Sequence, residues 1–356
     1  MVAEPSDSVQ ILDGGSVAFP SMLAAIAQAE RTIYIEVYAF FLDEIGSRFI
    51  AALGEALKRS VTVRVIIDGL GSRGHSAGVQ KALLQVGCEV SIYHPIWSAL
   101  YGRFRRNHRK ILLIDDRVAF VGGINIGMPY HGDSTTDYAD LAVQIEGPAC
   151  AQLARALDGK SQQGDSAIRF FLSRHGGSFR LRRRYIKAIG RAQKRILLAH
   201  GYFLPDRRLL RSITAAARRG VEVILLVAGH SDIPFFQAAT ANYYARLLRS
   251  GVQIFEWQSS VLHSKVATID DQRLLIGSFN LDPLSLLNLE ILVEIRQMLA
   301  VSAASTWIQS RLALGRRVAL AELRHPSLLR RLVLLIGFLG TKFAHAMRRV
   351  ITSRAP

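Results

Sequence analysis

An α/β fold of two related halves, each a mostly parallel mixed sheet flanked by helices, is predicted for this 356-residue chain by three features of its sequence. Helical and strand patterns alternate near the start, the same order returns from Arg184 onward, and one chemical motif recurs at a fixed distance. Alternation of this kind argues for strands covered by helices, and fixed-period recurrence argues for duplicated structure.

In the first half, Phe19 to Ala29 has the amphipathic spacing of a helix and Thr32 to Phe41 is an apolar run with strand character. Ile45 to Lys58 is helical again, and Val61 to Ile67 is a second strand. In the second half the series is helix Arg184 to Gln193, strand Arg195 to Phe203, helix Arg207 to Arg219 and strand Val221 to Ala228, ending at Gly229. The letters themselves repeat, since Ala24 to Ile35 (AAIAQAERTIYI) resembles Lys187 to Leu198 (KAIGRAQKRILL). This predicts a first half over 1–157, a linker over the polar, Gly-containing stretch 158–178, a second half over 179–300 and a basic tail over 301–356.

A formal net charge of +17, from 45 Lys and Arg against 28 Asp and Glu, favours anionic partners such as acidic lipid headgroups or nucleic acid. Arginine dominates, and its planar fork suits phosphate oxygens. Cys88 and Cys150 are the only cysteines and sit among apolar or small residues, so buried thiols are expected rather than a disulfide framework or a metal cluster. No basic and apolar leader of the signal-peptide type is read at the start, and no run reaches the length needed to span a bilayer; the cytoplasmic side is therefore the expected location. In the tail, Arg316, Arg317, Arg324, Arg330, Arg331, Lys342, Arg348 and Arg349 flank an apolar run from Leu328 to Phe343. That pattern fits an interfacial helix on an anionic membrane, or else a helix packed on the body with its cations solvated.

The chemistry is carried by His108-x-Lys110-x4-Asp115, followed by Gly122-Gly123-Ile124-Asn125, and by His263-x-Lys265-x4-Asp270, followed by Gly277-Ser278-Phe279-Asn280. The same 155-residue spacing separates His108 from His263 and Asn125 from Asn280. Apolar alternation from each His to its Asp favours a strand, in which His and Lys two residues apart point the same way. An imidazole can then attack phosphorus while an ammonium and an Asn amide neutralise its oxygens. Two such half-sites facing each other supply both a nucleophile and a proton donor without a metal or other cofactor.

These paired motifs resemble those of the phospholipase D superfamily, and the pattern is closest to bacterial cardiolipin synthases with a short N-terminus. The segments Asn107 to Asn125, Tyr202-Phe203-Leu204-Pro205-Asp206 and Gly277 to Ser285 carry the likeness, which extends over about residues 10 to 300. The resemblance implies a pseudo-twofold α/β fold with the active site between the halves. It implies His108 as nucleophile and His263 as general acid and then base, with the reverse left open by the symmetry. Lys110, Lys265, Asn125 and Asn280 would bind the phosphoryl group, while Asp115 and Asp270 complete the motifs and fix local structure. Asp140 and Glu290 match the acids that orient such histidines, since an imidazole needs a partner to fix its tautomer. Glu36 and Tyr38 also match the family pattern, with His200 at the place of Glu36 and Tyr202 at that of Tyr38.

The resemblance implies a phosphatidyltransferase that makes cardiolipin from phosphatidylglycerol and a second phospholipid or alcohol. Hydrolysis of a phospholipid or of nucleic acid is the second reading, and an inactive membrane-binding protein the third. Apolar and aromatic residues ahead of each motif tilt the choice towards lipid: Tyr93, Ile96, Trp97, Leu100, Tyr101 and Phe104 before the first, and Ile233, Phe235, Phe236, Tyr243 and Tyr244 before the second.

Overall fold

The computed structural model describes residues 6–72, 74–95, 98, 105–132, 137–160, 166–174 and 177–323. The strands of the first half are β1 (Ser8–Asp13), β2 (Thr32–Val37), β3 (Thr62–Asp68), β4 (Glu89–Tyr93), β5 (Ile111–Ile114), β6 (Val118–Gly122), β7 (Tyr138–Ala139) and β8 (Leu141–Glu146). Those of the second are β9 (Ile168–Leu172), β10 (Arg195–His200), β11 (Glu222–Ala228), β12 (Gln253–Trp257), β13 (Val261–Leu262), β14 (Lys265–Ile269), β15 (Arg273–Gly277), β16 (Ile291–Ile295) and β17 (Arg316–Arg317). Their sheets run β1-β8-β6-β5-β2-β3-β4 and β17-β12-β11-β10-β14-β15-β16-β9. The second order repeats the first, with β17 added at one edge. Each sheet is mixed: β2, β3 and β4 are parallel, as are β10, β11 and β12, while β5 and β14 run against them.

Two expectations about boundaries change. The stretch read as linker contains β9, which pairs with β16 and occupies the place that β1 holds in the first sheet. Its Ile168-Arg169-Phe170-Phe171-Leu172 turns Ile168 and Phe170 inward, a two-residue alternation short enough to be hidden by its polar neighbours. The stretch read as tail begins inside the folded body. The helix Met298–Leu314 buries Ala300, Val301, Ala304, Trp307 and Ile308, a helical stripe in the core that both sheets share, and β17 then pairs with β12. The helix also reaches the first half, where Trp307 Nε1 and Arg311 donate to Asp13 at 2.6 Å. The apolar run Leu328 to Phe343 lies outside the described residues.

The helices α1 (Gly14–Ala27), α2 (Glu44–Lys58) and α3 (Ser76–Gln85) cover the outer face of the first sheet, packing Met22, Ile26, Phe49, Leu53, Val79 and Leu83 against it. On the second sheet α5 (Phe179–Arg191), α6 (Arg207–Arg218) and α8 (Tyr244–Arg249) do the same, while α4 (Ala149–Leu157) and α9 (Met298–Leu314) join the core between the sheets; α7 is Pro234–Ala241. Asp43 caps α2 through Gly46 N at 2.9 Å, and Asp206 caps α6 through Arg208 N and Leu209 N. Cys88 and Cys150 are buried free thiols, and burial raises both pKa values.

Each motif aspartate closes a hairpin. Asp115 and Asp116 have φ of 53° and 56°, and Asp270 and Asp271 have 55° and 54°, the left-handed backbone that a tight strand turn requires. The Asp115 carboxylate accepts Glu30 N, Arg31 N and Thr32 N at 2.7 to 2.8 Å, and Asp270 accepts Gln193 N, Lys194 N and Arg195 N. Both therefore lock the start of the neighbouring strand at the end of the sheet away from the histidines. Burial pushes the Asp115 carboxyl up, but these N–H donors outweigh it and hold the group below its ordinary value. Asp115→Ala leaves three donors without their acceptor and destabilises the fold by about 1 to 3 kcal/mol. A lowered melting temperature with turnover per folded molecule kept within a few fold is expected; loss of turnover without loss of stability would place the residue in the chemistry.

Candidate active site

The two histidines lie where the halves lace into each other. Strand character starts only at Ile111 and Lys265, and the residues before it are held instead by the opposite half. His108 N donates to Leu289 O at 2.8 Å, and Leu289 N returns a bond to Arg106 O at 2.9 Å. In the mirror arrangement β13 pairs in parallel with β7, and His263 N donates to Ala139 O at 2.9 Å. Each histidine is thus fixed by the residue that precedes a carboxylate of the other half.

Those carboxylates complete the exchange. His108 Nδ1 is 3.1 Å from Glu290 Oε2, and His263 Nδ1 is 2.6 Å from Asp140 Oδ2. The sequence-selected acids both meet histidines, but across the halves rather than within them. A proton held on each Nδ1 leaves each Nε2 as the acceptor, and that of His263 lies 3.2 Å from Lys265 Nζ. Their surroundings differ: Gly123 packs against the Asp140 carboxylate so closely that a Cβ there would lie 2.3 Å from it, whereas Ser278, the equivalent residue, donates its hydroxyl to Glu290 Oε2.

Lys110 Nζ donates to His108 O at 2.8 Å and sits 5.1 Å above the Tyr38 ring, and Lys265 Nζ likewise donates to His263 O. Lys265 Nζ is also 2.7 Å from His263 Nδ1, so His and Lys do face the same way in that half. Burial is the main cause of low pKa values here: it pulls Lys110 down to about 7, His263 to about 4, and His108 and Lys265 below their ordinary values. Each lysine also depresses the histidine of the opposite half, which places all four groups in one field. Asn125 is held within its own half, accepting Ala39 N at 3.0 Å and donating to Tyr130 Oη at 2.6 Å. Among the described residues, no donor reaches the buried Asn280 Oδ1.

Aromatic rings wall the site. Tyr38 meets His108 with ring centroids 4.8 Å apart, and Tyr130, Tyr138 and Tyr202 surround His263 at 5.4, 4.9 and 5.8 Å. Tyr202 and Tyr138 both donate to Asp232, at 2.6 and 3.2 Å. Tyr130, Tyr138 and Asp232 escaped sequence reasoning, because no pattern in the chain links residues so far apart.

The sheet register corrects two equivalences. Ile33 pairs with Ile114 and Ile196 with Ile269, so the halves match with Ala199 at the place of Glu36, His200 at that of Val37 and Tyr202 at that of Ala39. Glu36 is instead half of a buried ion pair with Arg109 at 3.1 Å, and Arg109 Nη2 donates to Ser173 O at 2.6 Å. The second half replaces that pair with a small contact, Ser264 Oγ to Ala199 O at 3.3 Å. His200 lies across the strand pair from Lys265, fully buried, and burial lowers its pKa to about 3. Of the apolar and aromatic residues singled out ahead of the motifs, Ile96, Trp97, Leu100, Tyr101 and Phe104 lie outside the described residues. Tyr244 is a core residue bonded to Glu256 at 3.0 Å rather than a wall of the site.

The family model described as "Cardiolipin synthase, PLD-like domain" matches residues 22–157 and 185–312, one segment in each half. The chain belongs to the cardiolipin synthase family of phospholipase D-like proteins. Within that family it is 37% identical to cardiolipin synthase B of Salmonella typhi, over 80% of this chain and 75% of that protein. It is 33% identical to cardiolipin synthase B of Escherichia coli strain K12 over the same shares. The fold is also that of the phosphatidylserine synthase of Haemophilus influenzae Rd KW20, with a TM-score of 0.75 at 13% identity, covering 96% of this chain and 94% of that one. Like the rest of this cardiolipin synthase family, the chain is an enzyme of the phosphatidyltransferase type.

Proposed function

We propose that this enzyme makes cardiolipin by transferring a phosphatidyl group from phosphatidylglycerol to the hydroxyl of a second phospholipid or alcohol, through a phosphohistidine on His108. The crossed carboxylates carry this reading, because each holds one imidazole by Nδ1 and turns Nε2 to the chemistry, in unequal surroundings. Asp140 approaches His263 closely and accepts one further bond, from Leu141 N at 2.8 Å. Glu290 stands farther from His108 and already takes the Ser278 hydroxyl. The closer carboxylate makes His263 the proton carrier once the diester neutralises Lys265, whose Nζ lies 3.8 Å from Asp140 Oδ2, and leaves His108 as the neutral nucleophile.

In the first step His108 Nε2 attacks phosphorus, the bond to the leaving oxygen breaks, and His263 gives that oxygen its proton. In the second, the acceptor hydroxyl yields its proton to His263, its oxygen attacks phosphorus, and the phosphorus–nitrogen bond breaks. Lys110, Lys265, Asn125 and Asn280 stabilise the charge on the nonbridging oxygens. The anionic diester offsets the repulsion of the two lysines, which lets His263 hold a proton that burial denies it in the empty site. The membrane surface and its cytoplasmic side belong to the same proposal, supported by the net charge of +17. Among the described residues, no helix is long and apolar enough to cross a membrane.

Mass analysis of the products formed from phosphatidylglycerol tests the reaction, with single-stranded DNA as the competing substrate. Enzyme quenched in alkaline denaturant should carry on His108 a phosphoryl group held by an acid-labile, base-stable phosphorus–nitrogen bond. Finding it on His263 reverses the assignment, and finding none during rapid turnover removes covalent catalysis.

The lysine environment sets a pH dependence. Lys110 is charged below about pH 7 in the free enzyme and loses its proton above that, so affinity for the anionic diester falls as pH rises. KM should climb from pH 7 to pH 9 while kcat holds, because the charge of the bound diester raises the lysine's pKa and keeps it protonated in the complex. A kcat that falls in parallel with no change in KM would assign the alkaline limb to another group.

A further inference from the structure

The apolar side chains that stand exposed are unevenly placed. Nine large ones are exposed among the described residues. Leu42, Leu70 and Ile233, on loops, and Met128, at the start of the short 3-10 helix Met128–Tyr130, are each between 36% and 44% exposed and are tied to the active site. Leu42 follows Ala39, whose N–H holds Asn125, and its neighbour Asp43 accepts Met128 N at 2.7 Å. Leu70 N is held by Asp68, the carboxylate that also accepts Asn107 N at 2.7 Å beside His108. Ile233 adjoins Asp232, which anchors the two tyrosines over His263.

Charge falls at the same end. The strand β10 runs towards His200, and α5 and α6 both pack antiparallel to it, so their first turns lie at the catalytic end; the Arg182–Asp206 ion pair joins those turns. They present Arg180, Arg183, Arg207 and Arg208 to solvent, and neither helix carries an acidic residue.

We infer that the catalytic end is the membrane-docking face: the four apolar side chains enter the headgroup region of an anionic bilayer while the arginines at the helix starts meet its phosphates. This rests on the phospholipid substrate proposed above. An apolar rim beside cations is what an anionic interface binds, through buried apolar area and screened attraction together. Docked in this way, the site opens towards the headgroups, and a donor lipid reaches His108 without leaving the bilayer.

The test replaces Leu42, Leu70, Met128 and Ile233 together by serine in the full chain. The substitutions are on the surface, and an unchanged melting temperature verifies the fold. Sedimentation with phosphatidylglycerol vesicles should fall at least tenfold, and turnover on vesicles with it, while turnover of detergent-dispersed phosphatidylglycerol stays within twofold. The control is Met298→Ser with Leu299→Ser, at the opposite end of the molecule and 71% and 86% exposed, which should bind vesicles as the parent does. Arg180, Arg183, Arg207 and Arg208 replaced by serine should flatten the salt dependence of binding. Equal vesicle binding by the four-serine variant, or an equal loss in the control, overturns the docking face and leaves the proposed reaction standing. A parent enzyme inactive on both lipid forms overturns the reaction itself, and selective capture of single-stranded DNA by the arginine face would assign that face to nucleic acid instead.

Discussion

Alanine at His108 or at His263 lowers phosphatidyl transfer on the order of 10⁴-fold or more, and the double variant is no worse than the worse single, as expected for groups that act as one unit. The first substitution removes the nucleophile, and the second leaves the departing oxygen without a proton. Both side chains are buried against carboxylates, so the measurement is kcat on detergent-dispersed lipid by folded protein. The two variants differ in what remains. His263→Ala retains Nε2 of His108 and can still form a phosphatidyl-enzyme with a donor whose leaving group needs no proton, such as a nitrophenyl ester. His108→Ala cannot. A burst of nitrophenol from His108→Ala and none from His263→Ala would exchange the two roles, and losses that multiply in the double variant would indicate two independent sites.

The second large effect concerns the crossed acids. Glu290→Gln and Asp140→Asn keep the shape of the site but remove the charge that selects the tautomer of each histidine, and a loss of about 10²- to 10⁴-fold in kcat is expected. The pairing makes a sharper statement than the magnitude. In double-variant cycles Glu290 should couple to His108 and Asp140 to His263, although each pair joins opposite halves. Ser278→Gly, which gives the second half the glycine found in the first, frees a lone pair of Glu290 Oε2 and should strengthen its hold on His108, moving the acid limb of kcat/KM to higher pH. Coupling within each half instead would contradict the crossed geometry.

How far the chain could be read depends on the length of the signal. The His, Lys and Asp positions and the duplicated halves are written in short repeats, whereas the acids Asp140 and Glu290, 32 and 27 residues after their motif histidines, come from the family resemblance alone. Which acid serves which histidine is set by the docking of one half on the other, and nothing in the spacing of Asp140 and Glu290 expresses that. The one-residue shift that puts Ala199 rather than His200 at the place of Glu36 was legible: the repeat of Ala24 to Ile35 in Lys187 to Leu198 already aligns Ile35 with Leu198. Matching polar residues by type overrode the register that the apolar positions dictate. The strand β9 was missed because five residues of alternation between polar stretches resemble a loop. The helix Met298–Leu314 was read into the tail because its buried stripe of alanines and valine is weakly hydrophobic, and it is held as much by Asp13 in the first half as by its own composition.

The exchange of carboxylates also governs when activity can arise during synthesis. His108 leaves the ribosome 182 residues before its partner Glu290, an interval of roughly 10 to 35 s at about 5 to 20 residues per second. Throughout that interval the first half can assemble its sheet, yet its histidine has no carboxylate to fix a tautomer and its inner face has no second sheet to meet. A nascent or prematurely terminated chain therefore carries the proposed nucleophile in an unpoised form. Phospholipids beside the ribosome meet a competent histidine only after translation has passed Glu290 and the two halves have closed.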